Sequence, residues 1–223
     1  MSKGRSEYPD YALSERIADG TMHVLGVSGA LVGTTWLLVR TVGQSGAQTD
    51  GPSTAAVLVY GLALIATFVA SAIYHMTPWD GLRPMLRRVD HAAIYLKIAG
   101  TYTPLVFMLG TLSAYLVLAV VWALAAFGMI HKLFFWKIRR GQGTALYLVM
   151  GWMSVLLIGA LIPVLPVAAT GLIAAGGLLY TLGVVFHVWD SLKFSNAIWH
   201  GFVVAASACF FIAIALGLTG GVA

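Results

Sequence analysis

The feature that most constrains this chain is the recurrence of apolar runs about twenty residues long, the length a helix needs to cross the hydrocarbon core of a bilayer. Seven such runs can be read, at about 22–40, 54–76, 90–110, 112–131, 144–163, 167–188 and 196–217. Turn formers and charged residues separate them: "GQSGAQTDGPS" after the first, "TPWDGLRP" after the second, "KIRRGQG" after the fourth and "PVLP" after the fifth. The composition agrees, with 60% hydrophobic and 9% charged residues. A soluble domain carries about a quarter charged residues, so this chain has too few to cover its own surface with polar groups. The expectation is an all-α integral membrane protein, one seven-helix domain over 1–223 with no second, soluble unit. Residues 1–21 are polar and mixed in charge, which reads as a cytoplasmic N-terminal segment with a short interfacial helix rather than a cleavable signal peptide. The single Cys209 lies in an apolar run and can form no intramolecular disulfide.

Orientation follows from the cations of the short loops, which accumulate on the cytoplasmic side. Lys3, Arg5 and Arg16 precede the first run; Arg83, Arg87 and Arg88 lie between the second and third. Lys132, Lys137, Arg139 and Arg140 lie between the fourth and fifth, and Lys193 between the sixth and seventh. The alternate loops hold only Arg40. This predicts a cytoplasmic N-terminus and a C-terminus outside, and it reads the net charge of +5 as topology rather than nucleic-acid affinity.

On that layout every histidine falls at the cytoplasmic end of a helix: His23, His75, His91, His131, His187 and His200. Imidazole from several helices at one depth suits zinc, whose catalytic sites use three protein ligands and keep one position open. His75 and His200 arrive from different helices. Asp90, opening the third run, is a carboxylate at the membrane boundary and needs a partner: a metal site, a neighbouring Arg87 or Arg88, or its own helix N-terminus. Ser71 lies one turn before His75 on the same face, either as a hydrogen-bond donor to a reacting group or as a packing residue bonded to its own backbone.

Three stretches carry a resemblance: "SAIYH", "RRVDHAAIYLKIAGTYTPL" and "NAIWHGFVVAASA". Together they resemble the bacterial hemolysin III family, which groups with the progestin and adipoQ receptors and more distantly with alkaline ceramidases. The resemblance implies an N-terminus-in topology and a bacterial plasma (inner) membrane location. It also implies that Ser71 and His75 match the family's first motif, that Asp90 matches its acidic residue, and that His200 matches the second histidine of a His-x-x-x-His on the last helix. The first histidine of that pair is absent, since its position is Asn196. His187, at the end of the sixth run, is the candidate replacement; the alternative is an interfacial histidine beside Trp189. His23 and His131 read as interface residues, and His91 points about 100° away from Asp90 on its helix.

The expected activity is zinc-dependent hydrolysis of a lipid amide or ester in the cytoplasmic leaflet, with a ceramidase-like chemistry. His75, His200 and His187 would hold the metal, Asp90 would orient water or accept its proton, and Ser71 would help stabilise the oxyanion. The alternatives are a receptor-like protein whose zinc only joins helices, and a pore-forming haemolysin. Lys97 shares a face with Asp90 and either snorkels, pairs within the bundle or meets the anionic head of a lipid.

Overall fold

The computed structural model describes residues 11–44, 51–135, 142–189 and 191–219. Among these residues the secondary structure is helical: α1 (Leu13–Gln44), α2 (Gly51–Met76), a 3₁₀ turn (Asp80–Leu82), α3 (Arg83–Leu109), α4 (Leu112–Phe134), α5 (Gln142–Trp152), α6 (Val155–Leu161), α7 (Val167–Val188) and α8 (Ser195–Thr219). Six stretches are long and apolar enough to cross a membrane: Leu13–Gly43, Thr54–Met76, Asp80–Leu109, Leu112–Phe134, Val167–Val188 and Ser195–Leu218. Their outer faces are apolar, with Val24, Leu112 and Phe127 among many exposed large side chains. Helices suit lipid because each satisfies its backbone polar groups internally.

Neighbouring helices pack α1 on α2 and α8, α7 on α8, α2 on α3, and α3 on α4, while α5 touches α3, α4 and α7. α3 also meets α6 and α8 and is the most buried of the six long stretches. Small residues let the backbones approach. A Cβ at Gly128 of α4 would lie 2.5 Å from Tyr95 of α3, and one at Gly61 of α2 would overlap the Thr34 side chain of α1. This is the packing that drives helix association where lipid supplies no hydrophobic force. Gly110, at φ +63, closes α3, and Thr111 accepts from the Ala114 N–H to start α4.

The structure departs from the sequence reading at two places. α1 begins well before position 22, so "SERIADGTM" is helix rather than a separate segment; residues 1–10, with Lys3 and Arg5, lie outside the described residues, as do Lys137, Arg139 and Arg140. The expected fifth run, 144–163, is divided into α5 and α6 and forms a shorter apolar stretch, Ala145–Leu161. The division is a tight turn in which the Ser154, Leu156 and Leu157 N–H groups bond the Gly151, Met153 and Ser154 carbonyls three residues back. Such a turn frees carbonyls in the preceding helix, and in a membrane these need another donor. Tyr102 of α3 supplies it: its buried hydroxyl lies 2.8 Å from the Met150 carbonyl oxygen and 2.9 Å from that of Gly151. The Ser154 hydroxyl also donates to Gly151, at 2.9 Å.

Tyr102→Phe removes that donor without changing ring volume. It should lower stability by about 1–2 kcal/mol, read as a reduced Tm in detergent, whereas an unchanged Tm would show that the break satisfies itself.

Candidate metal centre

Four helices contribute side chains to one buried site. On α1, Asp19 and His23 are separated by four residues and therefore share a face; both are 4% exposed. On α2, Ser71 and His75 have the same spacing, and on α8 His200 lies one turn after Asn196. α1 lies beside both α2 and α8, so the three histidines meet.

The ring centroids of His23 and His200 are 4.4 Å apart, those of His75 and His200 4.6 Å, and those of His23 and His75 5.3 Å. One ring nitrogen from each of the three lies within 4.8 Å of the other two, close enough to hold a metal ion. Asp19 is set among them. Its Oδ1 is 2.6 Å from His200 Nδ1, and its Oδ2 is 3.5 Å from His23 Nε2 and 3.7 Å from His75 Nδ1. His200 Nδ1–H donates to the carboxylate, which leaves the Nε2 lone pair available, the arrangement by which carboxylates orient metal-binding imidazoles. The Ser71 Oγ lies 3.5 Å from that Nε2. His23 Nε2 is buried with no hydrogen-bond partner. An orphaned imidazole nitrogen beside two others and a carboxylate fits a metal, and this donor set suits zinc.

Asp90, 7% exposed, starts the inward face of α3, with its Oδ2 3.5 Å from His91 Nδ1. His91 Nδ1 also donates to the Arg87 carbonyl at 2.9 Å. Asp90, Ser71 and the three histidines line one end of a cavity of about 1170 Å³ that runs inward between the helices.

The residues singled out from sequence are thus distributed unevenly. His75 and His200 lie in the group, Ser71 touches it, and Asp90 faces the same cavity. His187 is not among the three: it ends α7, with its ring 4.9 Å from that of Trp199 and 6.5 Å from that of His91. The physical reason is the helix order. α8 has α1 on one side and α7 on another, and it is α1 that turns a histidine toward His200. His23, read from sequence as an interface residue, is buried in the group instead, and His131 packs between the rings of Phe127 and Phe135. Asn196 lines the cavity one turn before His200. Asp19 was not singled out at all, yet "ADGTMH" carried a signal: a carboxylate and an imidazole four apart at the start of an apolar run.

The family profile described as Haemolysin-III related matches residues 11–211. The chain belongs to the haemolysin III family. Among curated proteins it is 33% identical over 207 residues to the Hemolysin-3 homolog of Bacillus subtilis, covering 92% of this chain and 94% of that protein. It is 35% identical over 207 residues to the Hemolysin-3 of Bacillus cereus, covering 91% of each. A human relative, the Monocyte to macrophage differentiation factor, is 33% identical over 168 residues, 70% of this chain and 67% of that protein. This haemolysin III member is a multi-pass membrane protein, by family and by its six membrane-length helices.

If Asp19 orients His200, Asp19→Asn should weaken metal binding by about 10–100-fold while leaving all three histidines in place. Competition with a chromophoric chelator measures this; unchanged affinity would make Asp19 a packing residue.

Proposed function

We propose that this protein is a zinc-dependent hydrolase of lipid amide or ester bonds, acting at the end of the bundle where its histidines cluster. The observation that carries the reading is the His23–His75–His200 group opening directly onto a large, mostly apolar cavity. His23, His75 and His200 are the proposed ligands, and when bound, zinc supplies Lewis-acid polarisation of a carbonyl and of water. Asp90, on the facing helix, accepts the proton of the attacking water and passes it to the leaving group. Ser71, within reach of His200, donates to the developing oxyanion. The apolar walls admit an acyl chain and exclude water from the reacting bond. Asp19 keeps the His200 imidazole in one tautomer and orientation.

In the proposed topology the chain is a single domain that crosses the bacterial inner membrane seven times, with α5 and α6 forming one broken crossing. The cations Arg83, Arg87, Arg88 and Lys193 at one end of the helices support a cytoplasmic N-terminus and an external C-terminus. The site then lies at the cytoplasmic leaflet, where a membrane lipid can enter sideways. No nucleic-acid partner belongs to this reading.

A second reading has a specific support. The three imidazoles come from adjacent helices and Asp19 can close the donor set, and closed four-donor zinc sites are structural. In that case the metal joins α1, α2 and α8 and no bond is broken.

Elemental analysis of the detergent-purified protein should find near-stoichiometric zinc, lost in His23→Ala, His75→Ala and His200→Ala but kept in His187→Ala and Asn196→Ala. Retention in His23→Ala with loss in His187→Ala would overturn the ligand assignment. Asp90→Ala should keep the zinc and lose hydrolysis of an N-acyl or ester lipid. Zinc removal that lowers Tm, with no hydrolysis by the loaded parent, would instead favour the structural role.

A further inference from the structure

Two turns inward from the histidines the cavity wall carries a second polar layer. Lys97 is seven residues past Asp90 on α3, and Ser207 is seven past His200 on α8, which puts both about 10 Å deeper on the same faces. Lys97 is 5% exposed and lines the cavity. Its Nζ lies 3.3 Å from the Ser207 Oγ, 5.3 Å from the ring centroid of Phe68 and 4.8 Å from that of Tyr180. The Ser207 hydroxyl itself donates to the Val203 carbonyl at 2.7 Å. The Tyr180 hydroxyl, 2.8 Å from the Ser207 Oγ, therefore donates to Ser207. Ser207 thus receives two donors and has no proton left to give.

This leaves the ammonium unbalanced. An ammonium has three N–H donors, and only one has an acceptor among the described residues. No carboxylate among them lies within ion-pair distance of Nζ; Asp19 pairs with histidines and Asp90 with His91. Aromatic faces stabilise a cation but do not neutralise it. Beyond Lys97 the wall hydroxyls of Thr101, Tyr102 and Ser154 are held by backbone carbonyls, and the inner end is apolar, through Leu105 and Leu157 to Leu161. Leu105 lies eight residues further along α3, about 12 Å.

We propose that Lys97 is the anion-binding point of a second subsite in this cavity, one that takes a single-chain amphiphile by its anionic head and accepts its tail in the apolar inner end. The two free N–H donors match two oxygens of a carboxylate or phosphate. Ser207, by fixing Nζ against the wall, aims those donors at the open space. The subsite is distinct from the histidine group and needs neither metal nor hydrolysis, so it stands or falls apart from the hydrolase reading.

The test is binding of laurate, dodecyl phosphate and dodecanol to the full chain in detergent, by displacement of a fluorescent alkyl probe. At least one of the anions should bind about tenfold or more tightly than the alcohol. That preference should disappear in Lys97→Met and persist in Lys97→Arg. Which anion binds more tightly distinguishes a fatty carboxylate from a lipid phosphate. Lys97→Met should fold with an unchanged or higher Tm, since it removes a buried charge that has no counter-ion. Should that variant fail to fold, Ser207→Ala keeps the charge and should weaken the preference. Chelator treatment of the parent should leave anion binding intact. Equal binding of the alcohol, an anion preference surviving in Lys97→Met, or loss of anion binding on chelation would overturn the proposal, the last because it places the anion on the metal.

Discussion

A carboxylate buried among three imidazoles is the contact on which the site end of this bundle depends. Removing an ion from water costs several kcal/mol unless the surroundings compensate it. Asp19 obtains that compensation from the His200 hydrogen bond at 2.6 Å, with His23 and His75 beside it at 3.5 and 3.7 Å. Only His23 belongs to its own helix. The other two must be delivered by α2 and α8, so the burial of one carboxylate requires three helices to meet at one height.

The same face of α1 sets that height. Glu15, Asp19 and His23 follow one another at four-residue spacing, and each acts on a different part of the site. Glu15 accepts from the Ala12 N–H at 3.0 Å, starting its own helix, and from the Phe194 N–H at 2.9 Å, across the bundle. Phe194 has φ +64, a left-handed conformation that costs an L-residue roughly 1–2 kcal/mol. Glu15 secures that residue immediately before Ser195, where α8 begins. His200 then falls one turn and a half into α8, level with Asp19. One turn of α1 thus fixes the start of α8 and the next turn receives its histidine.

These relations explain what could be read from the sequence. The membrane helices were legible because lipid demands length and hydropathy, and both are local properties. His75, His200, Ser71 and Asp90 were legible as motif positions. α1 was misread at its start because hydropathy averages over all faces: Glu15, Arg16 and Asp19 look like a solvated segment, although Glu15 and Asp19 turn toward partners more than 170 residues away. His23 was misjudged for the same reason, since its neighbours in sequence say nothing of α8. The break between α5 and α6 was hidden because the apolar pattern continues through "GWMSV", while the donor that accommodates it, Tyr102, sits on another helix.

The open interior follows from where the packing energy resides. In lipid there is little hydrophobic reward for filling a central void, and helices associate through close seams instead. Gly61 against Thr34, Gly100 against Ala63 and Gly128 against Tyr95 place those seams between successive helices, away from the bundle axis. Polar side chains that would otherwise crowd the axis are held to the walls: the histidines by Asp19, Lys97 by Ser207 and two aromatic faces. Since α3 and α8 both repeat a polar position after seven residues, nearly two full turns, the two polar layers face the same space and not lipid. Tight seams and anchored polar groups together leave about 1170 Å³ open inside the bundle. A bundle built this way keeps its cavity as a consequence of its stability rather than at its expense.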